Sequence, residues 1–337
     1  MDKNVSGYDR MIVSPVTTVT VRVPAKLNLQ LAVGPIRADG YHEVVTVYHA
    51  VSLFDEVTVA PAERDSVVVT GEGADSVPTD GGNLAAYAAD ALAEATGPRT
   101  RGVPRLAIRI AKRIPVAAGL AGGSADAAAA LVACNELWRT GLSQQELCEL
   151  AAGIGSDVAF ALLGGTAIGM GRGELVTPAL TSGAFHWVLA FATGGLSTAD
   201  VYAACDRIRA SRDSRGSEAG DPEPVSVHQP MLDNALMAAL RSGDPAELGP
   251  LLSNDLQSAA LSLRPELRRT LAAGRELGAL GALVSGSGPT CAFLVRDRRH
   301  ARDLAAALAG AGVCRTVVQV VGPAPGAAVM ADTAEKA

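Results

Sequence analysis

The chain has 337 residues, 48% of them hydrophobic, and a formal net charge of −6, which allows a full core and suggests two domains more than one. The acidic balance argues against a nucleic-acid partner, which wants a basic stripe, so an anionic ligand needs locally placed cations or backbone donors. Five cysteines, Cys134, Cys148, Cys205, Cys291 and Cys314, are scattered and never form a C-x-x-C pair; they read as small apolar residues in a reducing, cytoplasmic setting, not as a metal site or a disulfide framework.

Residues 1–15 read as a disordered leader without the apolar core of a signal peptide. Val19, Val21 and Val23 then alternate with polar residues in a half-buried strand that meets Pro24. In P-A-K-L-N-L-Q-L, Leu27, Leu29 and Leu31 share one face and Lys26, Asn28 and Gln30 the other, so the polar face either acts on one ligand or simply faces solvent. The Asp39-Gly40 turn carries Tyr41, able to stack on a planar ring, and His42, able to bond its edge. Strands are expected at Val44 to Leu53, Val57 to Ala60 and Val67 to Thr70, and a helix from Leu84 to Ala95 with Asn83 placed to cap it.

The informative stretch is Pro115 to Ala130, P-V-A-A-G-L-A-G-G-S-A-D-A-A-A-A, between a strand at Arg105 to Ile110 and an Ala/Leu-rich helix at Ala125 to Trp138. Small residues let the loop backbone approach a ligand, and a helix start offers unpaired N–H groups with a partial positive charge. That combination suits phosphate, although the same pattern also serves close helix packing. It is neither a Walker A loop nor a G-x-G-x-x-G fingerprint, and Pro115, the glycines, Ser124 and Asp126 break any membrane span. Ser143 to Glu146 is a capping box. Asp157 opens a short apolar helix among glycines, where it is either a plain N-cap or a proton acceptor or metal partner.

A domain boundary is expected between Gly173 and Ala184, a buried strand at Val188 to Phe191, and a helix from about Ala199 carrying Tyr202. Ser211 to Pro230 reads as a mobile insertion. Helices follow at Met231 to Leu240, Glu247 to Leu252 and Pro265 to Leu277, then a strand, the Gly286-Ser287-Gly288 turn, a strand, a helix at Ala301 to Leu308 and a strand at Val317 to Val321. This second half has split βαβ character, and the tail beyond Pro323 is expected to be disordered.

Three motifs in order, Pro24 to Asn28, Pro115 to Ser124 and Ser285 to Thr290, resemble those of the GHMP superfamily of small-molecule kinases. P-A-K-L-N-L followed by R-A-D-G-Y-H-E, with G-I-G-S-D-V, L-S-T-A-D-V-Y and N-D-L further on, is similar to the branch acting on a cytidine diphosphate-linked methylerythritol in the non-mevalonate isoprenoid route. The resemblance covers about Val19 to Val321. It implies an α+β fold with an S5-like N-terminal ATP-binding domain over 16–175, a ferredoxin-like C-terminal domain over 176–323 and a disordered tail over 324–337.

It also implies roles. Lys26 and Asp157 would form the catalytic pair, Asp157 taking the hydroxyl proton. Asn28 would hold the erythritol part, Tyr41 and Tyr202 would sandwich the cytosine, and His42 and Thr198 would bond around it. Pro115, Val116, Ala117, Ala118, Gly119, Leu120, Ala121, Gly122, Gly123, Ser124 and Ala125 would cradle ATP, with Asn83 and Lys112 near the nucleoside. The C-terminal motif is Gly286, Ser287 and Gly288, and Ser124 would support Mg²⁺, held mainly by ATP oxygens. The partner implied is a small molecule, with no nucleic acid and no membrane, on a monomer or homodimer. The family's loops often carry more glycines than this one, where Ala117, Ala118 and Ala121 stand. Competing readings are a homoserine- or mevalonate-type kinase, and a nucleotide-binding regulator without catalysis.

Overall fold

A computed structural model of the protein describes residues 18–97, 105–216 and 229–331; the expected leader, 1–15, lies outside them. Two long strands, β1 (Val19–Ile36) and β2 (His42–Ala62), pair antiparallel across the Asp39-Gly40 turn. β1 does not stop at Pro24. It runs on with a register shift between Pro24 and Ala25, the kind of irregularity where a residue without an N–H fits inside a sheet. The strands expected at Val44 to Leu53 and Val57 to Ala60 are both part of β2.

There follow β3 (Ser66–Gly71), α1 (Leu84–Thr96), β4 (Arg105–Lys112), α2 (Gly122–Trp138), α3 (Gln144–Ile154), α4 (Val158–Leu163), β5 (Thr166–Met170) and β6 (Leu175–Pro178). The first sheet runs β1-β2-β4-β3, with β5 also on β2 and β6 on β5. α2 is buried on most of its faces by alanines, Leu131 and Cys134, side chains short enough to let it lie close to the sheet and to α1.

The rest comprises β7 (Phe185–Phe191), α5 (Thr198–Gly216), α6 (Asn234–Ser242), α7 (Pro245–Leu248), β8 (Ser253–Asn254), α8 (Gln257–Leu263), α9 (Leu267–Glu276), β9 (Gly281–Val284), β10 (Cys291–Val295), α10 (Arg298–Ala311), β11 (Thr316–Gly322) and β12 (Ala328–Val329). The second sheet is antiparallel, in the order β11-β7-β10-β9, with helices between β7 and β9 and α10 between β10 and β11. This is the split βαβ, ferredoxin-like arrangement. Phe185, Trp187 and Leu189 enter the core shared with α2 and β1, while Val188 and Ala190 join Phe293, Leu267 and Leu304 in a second core. A sheet covered on both faces explains the unbroken apolar runs of β7 and β10.

β6 completes a hairpin on the first sheet, and the chain after it returns to that sheet with two further strands. β6 pairs with β5, β8 lies parallel to β1 at Gln30 and Leu31, and β12 lies antiparallel to β1 at Val21 and Arg22. β12 corrects the expectation of a disordered tail from 324. Ala324 is buried and its N–H donates to the Ala50 carbonyl, and the open edge of β1 captures the following residues as an added strand; residues 332–337 lie outside the description. The expected insertion at 211–230 is also partly replaced. Residues 211–216 continue α5, 217–228 lie outside the described residues, and the chain re-enters held by Gln30, which donates to Met231 O at 2.7 Å and accepts from Asp233 N at 3.0 Å. Gln30 is thus a structural clamp. No helix among the described residues is long and apolar enough to cross a membrane.

Candidate active site

A cavity of about 770 Å³ opens where β1, the loop before α2, the start of α4, the start of α5 and the β9–β10 turn converge. The loop takes its shape from backbone in the left-handed region: Ala117, Gly119 and Ala121 have φ of 50°, 76° and 58°. The two alanines take up this conformation at a cost of about 1–2 kcal/mol each. At Gly119 glycine is required, because a methyl there would overlap the Ser285 carbonyl oxygen. Backbone bonds offset the cost. Lys26 N donates to Leu120 O at 3.2 Å, Leu196 N to Ala117 O at 3.1 Å, and the Ser285 hydroxyl to Gly119 O at 3.1 Å. The loop is therefore tied to β1 and to the second sheet's glycine turn.

α2 begins after Ala121 with no side-chain cap, so the N–H groups of Gly122, Gly123 and Ser124 face the cavity at the positive end of a 17-residue helix. Within the stretch, Ala117, Ala118, Gly119, Ala121, Gly122, Gly123 and Ser124 line the main cavity, whereas Pro115, Leu120 and Ala125 are buried and Val116 borders a smaller neighbouring cavity.

Lys26 and Asn28 are buried rather than solvent-facing. Lys26 donates to Asn28 Oδ1 at 2.5 Å, Asn28 Nδ2 to Thr46 Oγ1 at 2.8 Å, and Thr46 to Gln30 O at 2.7 Å. This chain of bonds fixes the ammonium. Asp157 precedes α4 with helical backbone and makes no capping bond, which removes the plain-cap reading. Its Oδ2 lies 3.7 Å from Lys26 Nζ, with the carboxylate 25% exposed to the cavity, and its Oδ1 accepts from the Tyr48 hydroxyl at 2.7 Å. Gly286 packs against Lys26 and Asn28, held by Asn254 Nδ2, which donates to Val284 O and Gly286 O, each at 2.7 Å.

Tyr41, His42, Thr198 and Tyr202 also line the cavity. His42 Nε2 lies 3.0 Å from Asp206 Oδ1, and its ring is 4.9 Å from that of Tyr202. Tyr41 is 53% exposed, with the Arg172 guanidinium 4.9 Å from its ring centroid. The Thr198 hydroxyl meets the Ser287 hydroxyl at 3.0 Å, joining the start of α5 to the glycine turn.

The two residues expected near the nucleoside, Asn83 and Lys112, line a smaller cavity that adjoins the main one. Asn83 caps α1, accepting from Ala85 N at 2.9 Å and donating to Pro78 O at 2.7 Å, on the wall of this second cavity of about 220 Å³. Lys112 lies at that cavity's floor, where its ammonium is shared by Asp55 at 2.5 Å and Asp126 at 2.6 Å. Asp55 also accepts from the N–H groups of Arg113 and Ile114. Two buried carboxylates on one ammonium leave a negative charge uncompensated. Asp126, whose Oδ1 has no partner, bears it: burial, with Asp55 adding to it against the pull of Lys112, pushes its carboxyl up to about 7. The two carboxylates in turn hold Lys112 protonated against burial.

Sequence reasoning missed Tyr48, Asn254 as a clamp, Arg172 and Asp206. The partners of Tyr48, Asn254 and Asp206 lie 30 to 164 residues away, and Arg172 meets the Tyr41 ring from a distant loop; no spacing rule connects them. Among the described residues no three His, Cys, Asp or Glu gather to hold a metal. The donor the loop offers is the Ser124 hydroxyl, which suits Mg²⁺ carried in by phosphate oxygens, since that ion keeps much of its shell from water and substrate.

The GHMP kinases N terminal domain family matches residues 83–165, and the GHMP kinases C terminal family matches 236–314. A protein of Mycolicibacterium gilvum (strain PYR-GCK) named 4-diphosphocytidyl-2-C-methyl-D-erythritol kinase is 58% identical over 317 residues, 94% of each chain. One of the same name from Thermobifida fusca (strain YX) is 56% identical over 322 residues, 93% of this chain and 99% of its own. The crystal structure of a 4-(cytidine 5'-diphospho)-2C-methyl-D-erythritol kinase matches with a TM-score of 0.66 at 33% identity, over 90% of this chain and 100% of that one. Homoserine kinase from Cytophaga hutchinsonii shares the fold, with a TM-score of 0.69 at 18% identity. The uncapped helix start, the Lys26–Asp157 pair and these likenesses identify a small-molecule kinase, and the chain belongs to the GHMP kinase family.

Proposed function

We propose that this chain transfers the γ-phosphoryl group of ATP to the 2-hydroxyl of 4-diphosphocytidyl-2-C-methyl-D-erythritol, in the cytoplasm and in the non-mevalonate route to isoprenoid precursors. One observation carries the reading: Lys26 and Asp157 meet at 3.7 Å on the wall of the cavity that the N–H groups of α2 also face. Asp157 accepts the hydroxyl proton. The freed oxygen pair forms a bond to the γ-phosphorus as the bond to the β,γ-bridging oxygen breaks, and that electron pair leaves with ADP. Lys26 orients and polarises the hydroxyl. Such a transfer asks mainly for positioning and for charge neutralisation, which the N–H groups of Gly122, Gly123 and Ser124 supply to the phosphates. Ser124 would hold a nucleotide-borne Mg²⁺, which would supply neutralisation of phosphate charge.

In this reading residues 16–175 form the nucleotide half and 176–323 the half that meets it. Asn28 holds the erythritol part, Tyr41 and Tyr202 take the cytosine between them, and His42 and Thr198 bond its edges. Asn83 and Lys112 lie toward the nucleoside, Lys112 through the floor of the second cavity. The Gly286-Ser287-Gly288 turn closes the phosphate side. The test is ADP release from ATP with the diphosphocytidyl substrate, homoserine and mevalonate as separate acceptors. Turnover with the first alone is expected. Turnover with homoserine or mevalonate alone replaces the substrate assignment, and ADP release with none of them replaces the kinase by a nucleotide-binding regulator.

A further inference from the structure

Tyr48 lies in the middle of β2, paired with Asn28 of β1 on one side and Ala167 of β5 on the other. It is 2% exposed, and a buried phenol needs a partner for its hydroxyl. Here the partner is the Asp157 carboxylate, at 2.7 Å. The contact is constructed from both sides. The ring stacks on Phe160, one helical turn beyond Asp157, with centroids 4.8 Å apart. Gly173, with a φ of 108°, passes so close above the phenol oxygen that a methyl there would overlap it. The hydroxyl therefore has one place to donate, and the bond assigns the two carboxylate oxygens different tasks: Oδ1 is spent on Tyr48, while Oδ2 is turned toward Lys26.

We infer that Tyr48 is a positioning residue for the phosphoryl transfer, holding Asp157 by Oδ1 so that Oδ2 receives the substrate's hydroxyl proton. The inference rests on the reading of Asp157 as proton acceptor. Burial, with Asp157 beside it, raises the Tyr48 hydroxyl well above its ordinary range, so it remains a donor throughout the working pH range. A donor on a carboxylate favours the ionised form, which is the form able to take a proton. Lys26 from β1 and Tyr202 from α5 also face this carboxylate, while Glu174 of the β5–β6 turn, paired with Arg172 at 3.6 Å, faces Tyr48. A change at Tyr48 leaves all of them in place.

The experiment compares Tyr48→Phe, Asp157→Asn and wild type by kcat, the KM for each substrate and the pH profile of kcat. Tyr48→Phe is expected to lower kcat roughly tenfold or more, as the loss of a hydrogen bond to a charged group does, with the KM for ATP unchanged. The acid limb of its profile should move to higher pH, because the carboxylate without its donor protonates more readily. A merely structural tyrosine would not move that limb. Fluorotyrosine at position 48, isosteric and a stronger donor, should shift the limb the opposite way, and it keeps the test open should Tyr48→Phe fold poorly. An unmoved limb in either variant, or a Tyr48→Phe kcat within twofold of wild type, overturns the inference while an inactive Asp157→Asn leaves the proton-acceptor reading standing. An active Asp157→Asn overturns that reading instead.

Discussion

Two lysines in this protein each face aspartate, and the molecule uses the two sites in opposite ways. At Lys26 one carboxylate stands 3.7 Å off, 25% exposed, on the wall of the main cavity. At Lys112 two carboxylates stand at 2.5 and 2.6 Å, with side-chain exposures of 0% and 5%. The second set has the better bonds and the poorer chemistry. Its ammonium is shared between Asp55 and Asp126, and Asp55 also ties the chain leaving β4 through two backbone N–H groups. The first set keeps capacity in reserve: a long ion pair, an exposed carboxylate edge and neighbours that fix the geometry from behind. A charged pair able to act on a substrate has to be incompletely satisfied by the protein alone, whereas a pair that joins β2, β4 and α2 has to be closed.

That contrast is most severely tested at Lys112. Lys112→Met leaves two buried carboxylates without their counter-charge, and removing one partner of such a set costs about 3–5 kcal/mol, a large share of a typical domain's stability. Urea unfolding is expected to show this loss. A variant with wild-type stability and a raised KM for ATP would instead make Lys112 a working nucleotide ligand and erase the distinction. Asp157→Asn should do the reverse. Turnover is expected to fall by roughly 10²–10⁴-fold, the usual weight of general acid–base help. Nucleotide binding should be nearly intact, and stability should change by less than about 1 kcal/mol, since a partly exposed pair contributes little. A fully active variant would end Asp157's assigned role.

The sequence made one member of each site conspicuous and hid its partners. The loop before α2 is legible because its glycines, alanines and following helix are contiguous, and Lys26 and Asn28 because strand alternation puts them on one face. Local periodicities showed the separate elements and the split βαβ character of the second half, whereas the two-domain fold class came from the resemblance carried by three ordered motifs. Whether Asp157 caps a helix or faces a cavity is decided by Tyr48, 109 residues earlier, and whether Lys112 is free is decided by Asp55, 57 residues earlier. Such pairings belong to the sheet's register rather than to any window of sequence. The two-residue strands β8 and β12 were illegible for another reason: two residues carry no period, and they are strands only because β1 offers an edge. Ala117 and Ala121 were misleading in the other direction, since packing against the second sheet imposes on them a backbone that their residue type disfavours.

The smallest expected effect separates the sites by pH. Burial raises Asp126 to about 7, against an ordinary value of 3.8 that applies to the unfolded chain. Across that window the folded protein holds a proton that the unfolded chain has released, so stability from this group falls as pH rises, by at most about 1.4 kcal/mol per pH unit. Asp126→Asn removes this term. Its stability relative to wild type should therefore improve steadily between about pH 5 and pH 7, as read from urea midpoints at each pH. A flat difference for Asp126→Asn would mean that water or a counter-ion reaches the Lys112 cluster, and the sealed site would then differ from the open one in geometry alone.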